Sequence, residues 1–121
     1  MKALETEADI KFMVDTFYEK VNADDLLAPV FNDYAKIDWE LHLPKMYNFW
    51  NTILFSRGDY KGSPYEKHEL LPVQKEHFDR WLQLFNANMN EHFEGENAQE
   101  AMKRAQVIGI TFWSKMSMKR S

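Results

Sequence analysis

The chain carries four histidines, His42, His68, His77 and His92, and no cysteine. Thiolate metal sites, iron–sulfur clusters, disulfides and cysteine nucleophiles are removed together, which leaves imidazole as the main candidate for soft metal ligation. Two of the four sit in distinctive surroundings. In the run Trp39-Glu40-Leu41-His42-Leu43-Pro44-Lys45-Met46-Tyr47-Asn48-Phe49-Trp50, helical spacing places His42, Met46, Phe49 and Ile53 on one face with Trp50 beside them. The result is an apolar wall with one imidazole near its start. Core packing alone would select the same wall. His68 is placed differently: Gly58 and Gly62 punctuate a loop, Pro64 can open a short helix, and His68 follows one turn later, just before Leu70, Leu71 and Pro72. A helix that short is unstable alone and must be held by what it packs on or binds.

Other chemistries find no support. The chain has no His-Glu-x-x-His zinc helix, no glycine-rich phosphate loop followed by Lys and Ser/Thr, and no serine in a Gly-x-Ser-x-Gly elbow. Its carboxylates are scattered on polar faces, where solvated charge is their ordinary role. The tripeptide Arg57-Gly58-Asp59 is read as chance rather than as an adhesion motif. A net charge of −4 argues against a nucleic-acid partner. No window supplies the roughly 20 apolar residues of a membrane span. The start Met1-Lys2-Ala3-Leu4-Glu5 turns acidic before any apolar run, so a cytoplasmic location is expected. Aromatics make up 15% of the chain, a share that suits either a wide, flat lining or simply an aromatic core.

These residues must be positioned by helices. At 121 residues the chain is expected to form one domain, 1–121. Thr6 with Asp9 reads as a capping box, and Ile10, Val14, Phe17, Tyr18 and Val21 continue at the 3.6 period, predicting a helix over 6–22. Leu26 to Phe31 form a short apolar turn around Pro29. A further helix opens near Asp38, with an irregular first turn and a regular course from Pro44 to Phe55, because Pro44 removes a backbone donor. Beyond Pro72, the stripe Phe78, Trp81, Leu82, Phe85 and Met89 predicts a long helix ending before Gly95. Asn97 with Glu100 reads as a second capping box, and Ala98, Ala101, Ala105, Ile108, Phe112 and Met116 carry a final helix to the basic end Lys115, Lys119 and Arg120. No strand pattern lasts, so the fold class is all-α.

The ordered motifs resemble the group III truncated haemoglobins. They are Phe17-Tyr18, Pro29-Val30-Phe31, Trp39-x-x-His42-Leu43-Pro44-x-Met46-x-x-Phe49-Trp50, Tyr60-x-Gly62-x-Pro64-x-x-x-His68-x-x-Leu71, and His77-Phe78-x-x-Trp81-Leu82-x-Leu84-Phe85. Together they span about residues 10 to 90, and the final helix adds only a compatible period. The resemblance implies a truncated globin fold, a helical sandwich around haem b with a short proximal helix. By it, His68 is the proximal iron ligand, and Tyr18, His42 and Trp81 are distal proton donors. Phe31, Met46, Phe49, Leu71 and Phe78 would line the macrocycle beside Trp81, with Lys45 and His77 at the propionates. His92 is read as a surface residue.

Donors aimed at a polarised oxygen ligand contribute roughly 1.5–3 kcal/mol each, enough for one or two of them to slow its escape by about one to four decades. The implied partners are O2, with NO, CO, peroxide or cyanide as other ligands. Storage or transport, NO or peroxide detoxification, and sensing stay open at this stage. Detoxification would call for an external reductase, and a monomer is expected. The reading from another class is a cofactor-free helical interaction domain, which explains the periodicity equally well but not the ordered motif set or the placing of His68.

Overall fold

The computed structural model describes residues 1–61 and 72–120. His68, Leu71 and the short helix expected after Pro64 lie outside the described residues. The chain runs β1 (Lys2–Ala3), α1 (Glu7–Asn22), a π-helical turn (Val30–Tyr34), α2 (Trp39–Phe55), α3 (Lys75–His92), β2 (Phe93–Glu94) and α4 (Glu96–Arg120). α1 packs on α2 and α3, and α3 packs on α4. The apolar stripe of α1, including Ile10, Met13, Val14, Phe17 and Val21, meets Phe85 and Met89 of α3 and the small face Ala98, Ala101 and Ala105 of α4. Small residues there let the backbone of α4 approach α3 closely.

The first helix starts where its cap demands. Thr6 Oγ1 accepts from the Asp9 amide at 3.1 Å, and Asp9 Oδ2 accepts from the amides of Thr6 at 2.9 Å and Glu5 at 3.0 Å. Lys2 adds an ion pair to Asp9 at 2.7 Å. Burial works to raise the Asp9 carboxyl pKa, but the Lys2 ammonium and these amides outweigh it and hold the group far below its ordinary 3.8. A folded-state pKa below the unfolded value gives stability that is fully present above the unfolded pKa and is lost as pH falls toward the folded one. Asp9→Asn should therefore cost about 1–3 kcal/mol at neutral pH and flatten the acid limb of stability in urea denaturation below about pH 5. Wild-type and variant profiles that stay parallel through that range would contradict this.

Three boundaries differ from the sequence expectation. α2 is regular from Trp39 onward, although Pro44 lies inside it. Its first turn is tied down by Asp38, whose side chain accepts from the Glu40 amide at 3.2 Å and whose carbonyl accepts from the His42 amide at 2.8 Å. Pro44 and Glu40 are both exposed, so the carbonyl that Pro44 cannot serve is left to water. α4 opens at Glu96 rather than after Asn97, because Gly95, at φ +97°, makes the turn and its carbonyl accepts from Gln99 at 3.1 Å. Asn97 caps nothing in its own helix, and its side chain instead donates to the Leu4 carbonyl at 2.8 Å. The third difference is the parallel pairing of Lys2 with Phe93 and Ala3 with Glu94, where no strand was expected. Strands of two residues have no period to read.

After α2 the loop folds back on the helix. Asn48 exchanges hydrogen bonds with Asp59 at 3.0 and 3.1 Å, and Thr52 Oγ1 accepts from the Tyr60 amide at 3.1 Å. Arg57 donates to Asn51 at 3.2 Å and lies over the Phe55 ring. The Arg57-Gly58-Asp59 tripeptide is thus engaged in fastening this loop. Gly58 passes so close that a Cβ would collide with Thr52 Oγ1 and Asn48 Oδ1 and stand 2.7 Å from the Asn48 carbonyl oxygen. Gly58→Ala should cost about 1–3 kcal/mol, read as a lower urea midpoint at constant slope. An unchanged midpoint would mean the loop yields freely.

Candidate haem cleft

Among the described residues, α1, the π-helical turn, α2, α3 and α4 border an apolar cleft that is partly open to solvent. Phe17 and Tyr18 of α1, Leu27, and Val30 and Phe31 of the π-helical turn line it together with His42, Met46, Phe49 and Trp50 of α2. Val73, with His77, Phe78 and Trp81 of α3 and Ile108, Gly109 and Phe112 of α4, completes the lining.

Eight of the residues expected from sequence meet here: Tyr18, Phe31, His42, Met46, Phe49, His77, Phe78 and Trp81. Lys45 does not line the cleft and stands exposed on α2. His68 and Leu71 lie outside the described residues. His92 packs edge-on against Phe12 at 4.8 Å, away from the cleft lining. Residues not assigned to the site from sequence are Phe17, Leu27, Val30, Trp50, Val73, Ile108, Gly109 and Phe112. Ile108 and Phe112 carried a signal, their four-residue spacing, but it does not distinguish a core face from a cleft face.

The donor-bearing rings are fixed by aromatic contacts. Tyr18 stands edge-on to His42 at 5.7 Å and against Trp39 at 5.1 Å, and Phe31 meets it from the turn at 6.0 Å. The Trp39 indole N–H is spent on Asn32 at 2.9 Å, so Trp39 acts as a wall behind the Tyr18–His42 pair. Trp81 enters through Phe17, ring to ring at 5.7 Å, and stacks on Phe85 at 6.0 Å. Between the helices, Tyr47 donates a hydrogen bond to Asp15, which also takes an ion pair from Lys11 at 2.8 Å. This brace joins α1 three residues before Tyr18 to α2 five residues after His42.

Tyr18 is only 8% exposed, and burial pushes its phenol pKa well above the ordinary 10.0. The hydroxyl is therefore a donor throughout the neutral range. A raised folded pKa gives a contribution present below the unfolded pKa and lost as pH rises above it. In an alkaline absorbance titration, Tyr18→Phe should delete the latest-ionising phenol. Loss of an early phase instead would contradict the burial argument.

His77 has its tautomer set locally. Its Nδ1 accepts from the Gln74 amide at 2.8 Å, so the neutral ring carries its proton on Nε2 and presents a donor.

Among the described residues no three His, Cys, Asp or Glu side chains gather as a metal cage. A metal already held by a macrocycle needs no such cage, since one imidazole suffices. The residues present fit haem: a wide aromatic lining for the ring, and donors on separate helices. No helix of the described residues is long and apolar enough to cross a membrane.

An all-α chain whose described helices surround an apolar cleft lined with aromatic rings defines the class. The family model for bacterial-like globins matches residues 2–112. The group 3 truncated hemoglobin ctb of Campylobacter jejuni is 36% identical over 110 residues, covering 88% of this chain and 87% of that protein. The crystal structure of a group III truncated hemoglobin from Campylobacter jejuni superposes with a TM-score of 0.86 at 36% identity, covering 96% of this chain and 95% of that one. The chain belongs to the bacterial-like globin family, and the resemblance to group III truncated haemoglobins read from its motifs is borne out. It is a haem-binding globin by family, and globins bind small diatomic ligands such as O2. The cofactor-free interaction domain gives way to this assignment.

Proposed function

We propose that the chain binds O2 reversibly on haem b, with His68 as the proximal ligand and Tyr18, His42 and Trp81 as distal donors. The observation that carries this reading is the convergence of three donor-bearing rings from three helices on one apolar cleft. When bound, haem supplies a ferrous iron able to take a diatomic ligand. Everything else falls to the chain. Tyr18 contributes an O–H whose proton burial retains, and His42 and Trp81 contribute ring N–H groups. In a lining this apolar, hydrogen bonds from those donors are stronger than they would be in water. His77 Nε2–H is a ready partner for a carboxylate at the cleft, and Lys45, exposed on α2, can add charge at the rim.

Such a donor set favours retention of the ligand over quick release, which fits chemistry on NO or peroxide better than bulk oxygen transport. Turnover of NO requires an electron donor from outside this chain. The test is spectroscopic: the haem-loaded, reduced protein is exposed to oxygen and then to argon. A new spectrum that reverts over several cycles is expected. Immediate, irreversible oxidation in the first cycle would overturn the reading.

A further inference from the structure

Gly109 lies in the interior of α4, where glycine weakens a helix by its backbone freedom. It is buried and lines the cleft between Ile108 and Phe112. Buried helical glycines usually allow another protein element to approach. Here a Cβ built on Gly109 meets no described atom within 4 Å. The contrast with Gly58, whose Cβ would strike its neighbours, is direct. Nor does Gly109 serve a turn, since its φ is not among the positive ones. Among the described residues, what the missing side chain leaves is open room at this point of the cleft lining.

We propose that Gly109 is a cofactor-contact position, kept without a side chain so that the haem face can lie against the α4 backbone. This rests on the haem reading of the cleft. The flanking side chains support it: Ile108 and Phe112 line the same cleft one residue before and three after, so a flat ring lying there would meet bare backbone between two apolar side chains. A methyl group at 109 would intrude slightly, and a leucine would occupy the ring's place.

The test compares wild type with Gly109→Ala and Gly109→Leu, each as the full chain, and with Val107→Leu on the exposed face of the same helix as a control. Helicity is read by circular dichroism before haem is added, and haem loss is then timed by transfer to excess apomyoglobin. Helicity should be kept or slightly raised in both variants, because alanine and leucine are better helix formers than glycine. Haem loss should accelerate a few-fold in Gly109→Ala and on the order of a hundredfold in Gly109→Leu, with Val107→Leu matching wild type. This pairing of sound helix with failing haem retention is not what a purely structural glycine would give. Wild-type retention in both variants overturns the assignment while leaving the haem reading standing. Loss of helicity in both also overturns it, since the room would then be needed by the protein itself. A wild-type chain that takes up no haem overturns the haem reading, and this assignment with it.

Discussion

Tyr18→Phe should speed oxygen dissociation from the haem-loaded protein by about one to two decades. The substitution deletes one oxygen and keeps the ring that packs on Phe31, Trp39 and His42. The pocket's shape is therefore preserved while one donor is lost. A hydrogen bond to a polarised ligand contributes about 1.5–3 kcal/mol, and each 1.4 kcal/mol corresponds to roughly a decade. Trp81→Phe should act in the same direction by a similar factor. Because Trp81 of α3 packs on Phe17, the neighbour of Tyr18 in α1, the double variant tests whether the two donors share one ligand. If they do, the combined effect departs from the product of the single ones. Off-rates from stopped-flow mixing that match wild type in both single variants would remove the distal-donor proposal.

The second large effect concerns the other side of the iron. His68→Ala should raise the rate of haem loss by on the order of a hundredfold or more, since it removes a direct ligand and not merely a supporting contact. Added imidazole should restore part of the wild-type spectrum, which a simple folding defect would not allow. His68 lies outside the described residues, and its role comes from the motif Tyr60-x-Gly62-x-Pro64-x-x-x-His68. The described part of that motif is consistent with an anchored entry: the Tyr60 amide is bonded to Thr52, and its ring meets Phe49 of the cleft at 5.2 Å. A variant that keeps wild-type haem affinity and spectrum would place the proximal bond on another side chain.

Much of this was legible in the sequence where a regular period met a clear punctuation mark. α1 begins where the Thr6–Asp9 box places it, and α3 carries the expected stripe through Phe85 and Met89. Where local rules competed, tertiary detail decided. Pro44 argued for an irregular turn, but the Asp38 cap closed the helix early enough to absorb it. Asn97 looked like a cap and was drawn off by the Leu4 carbonyl. At the site, Tyr18, His42 and Trp81 are legible because each sets a hydrogen-bonding group on an apolar helix face, and all three line the cleft. The α4 wall is not legible as part of a site for the opposite reason. Ile108 and Phe112 have the types and spacing of ordinary core residues, and Gly109 signals only by lacking a side chain.

The most direct check on the central claim, that this cleft holds haem, is a titration of the haem-free chain with haemin, followed both by absorbance and by tryptophan emission. Trp50 and Trp81 line the cleft, Trp39 stands 5.1 Å from Tyr18, and Trp113 lies 6.2 Å from Phe78, which together account for all four tryptophans. A strong Soret band that saturates at one haem per chain, with nearly complete quenching at the same equivalence point, is the expected result. Weak, unsaturable absorbance with emission left intact would show that the ring binds elsewhere or not at all.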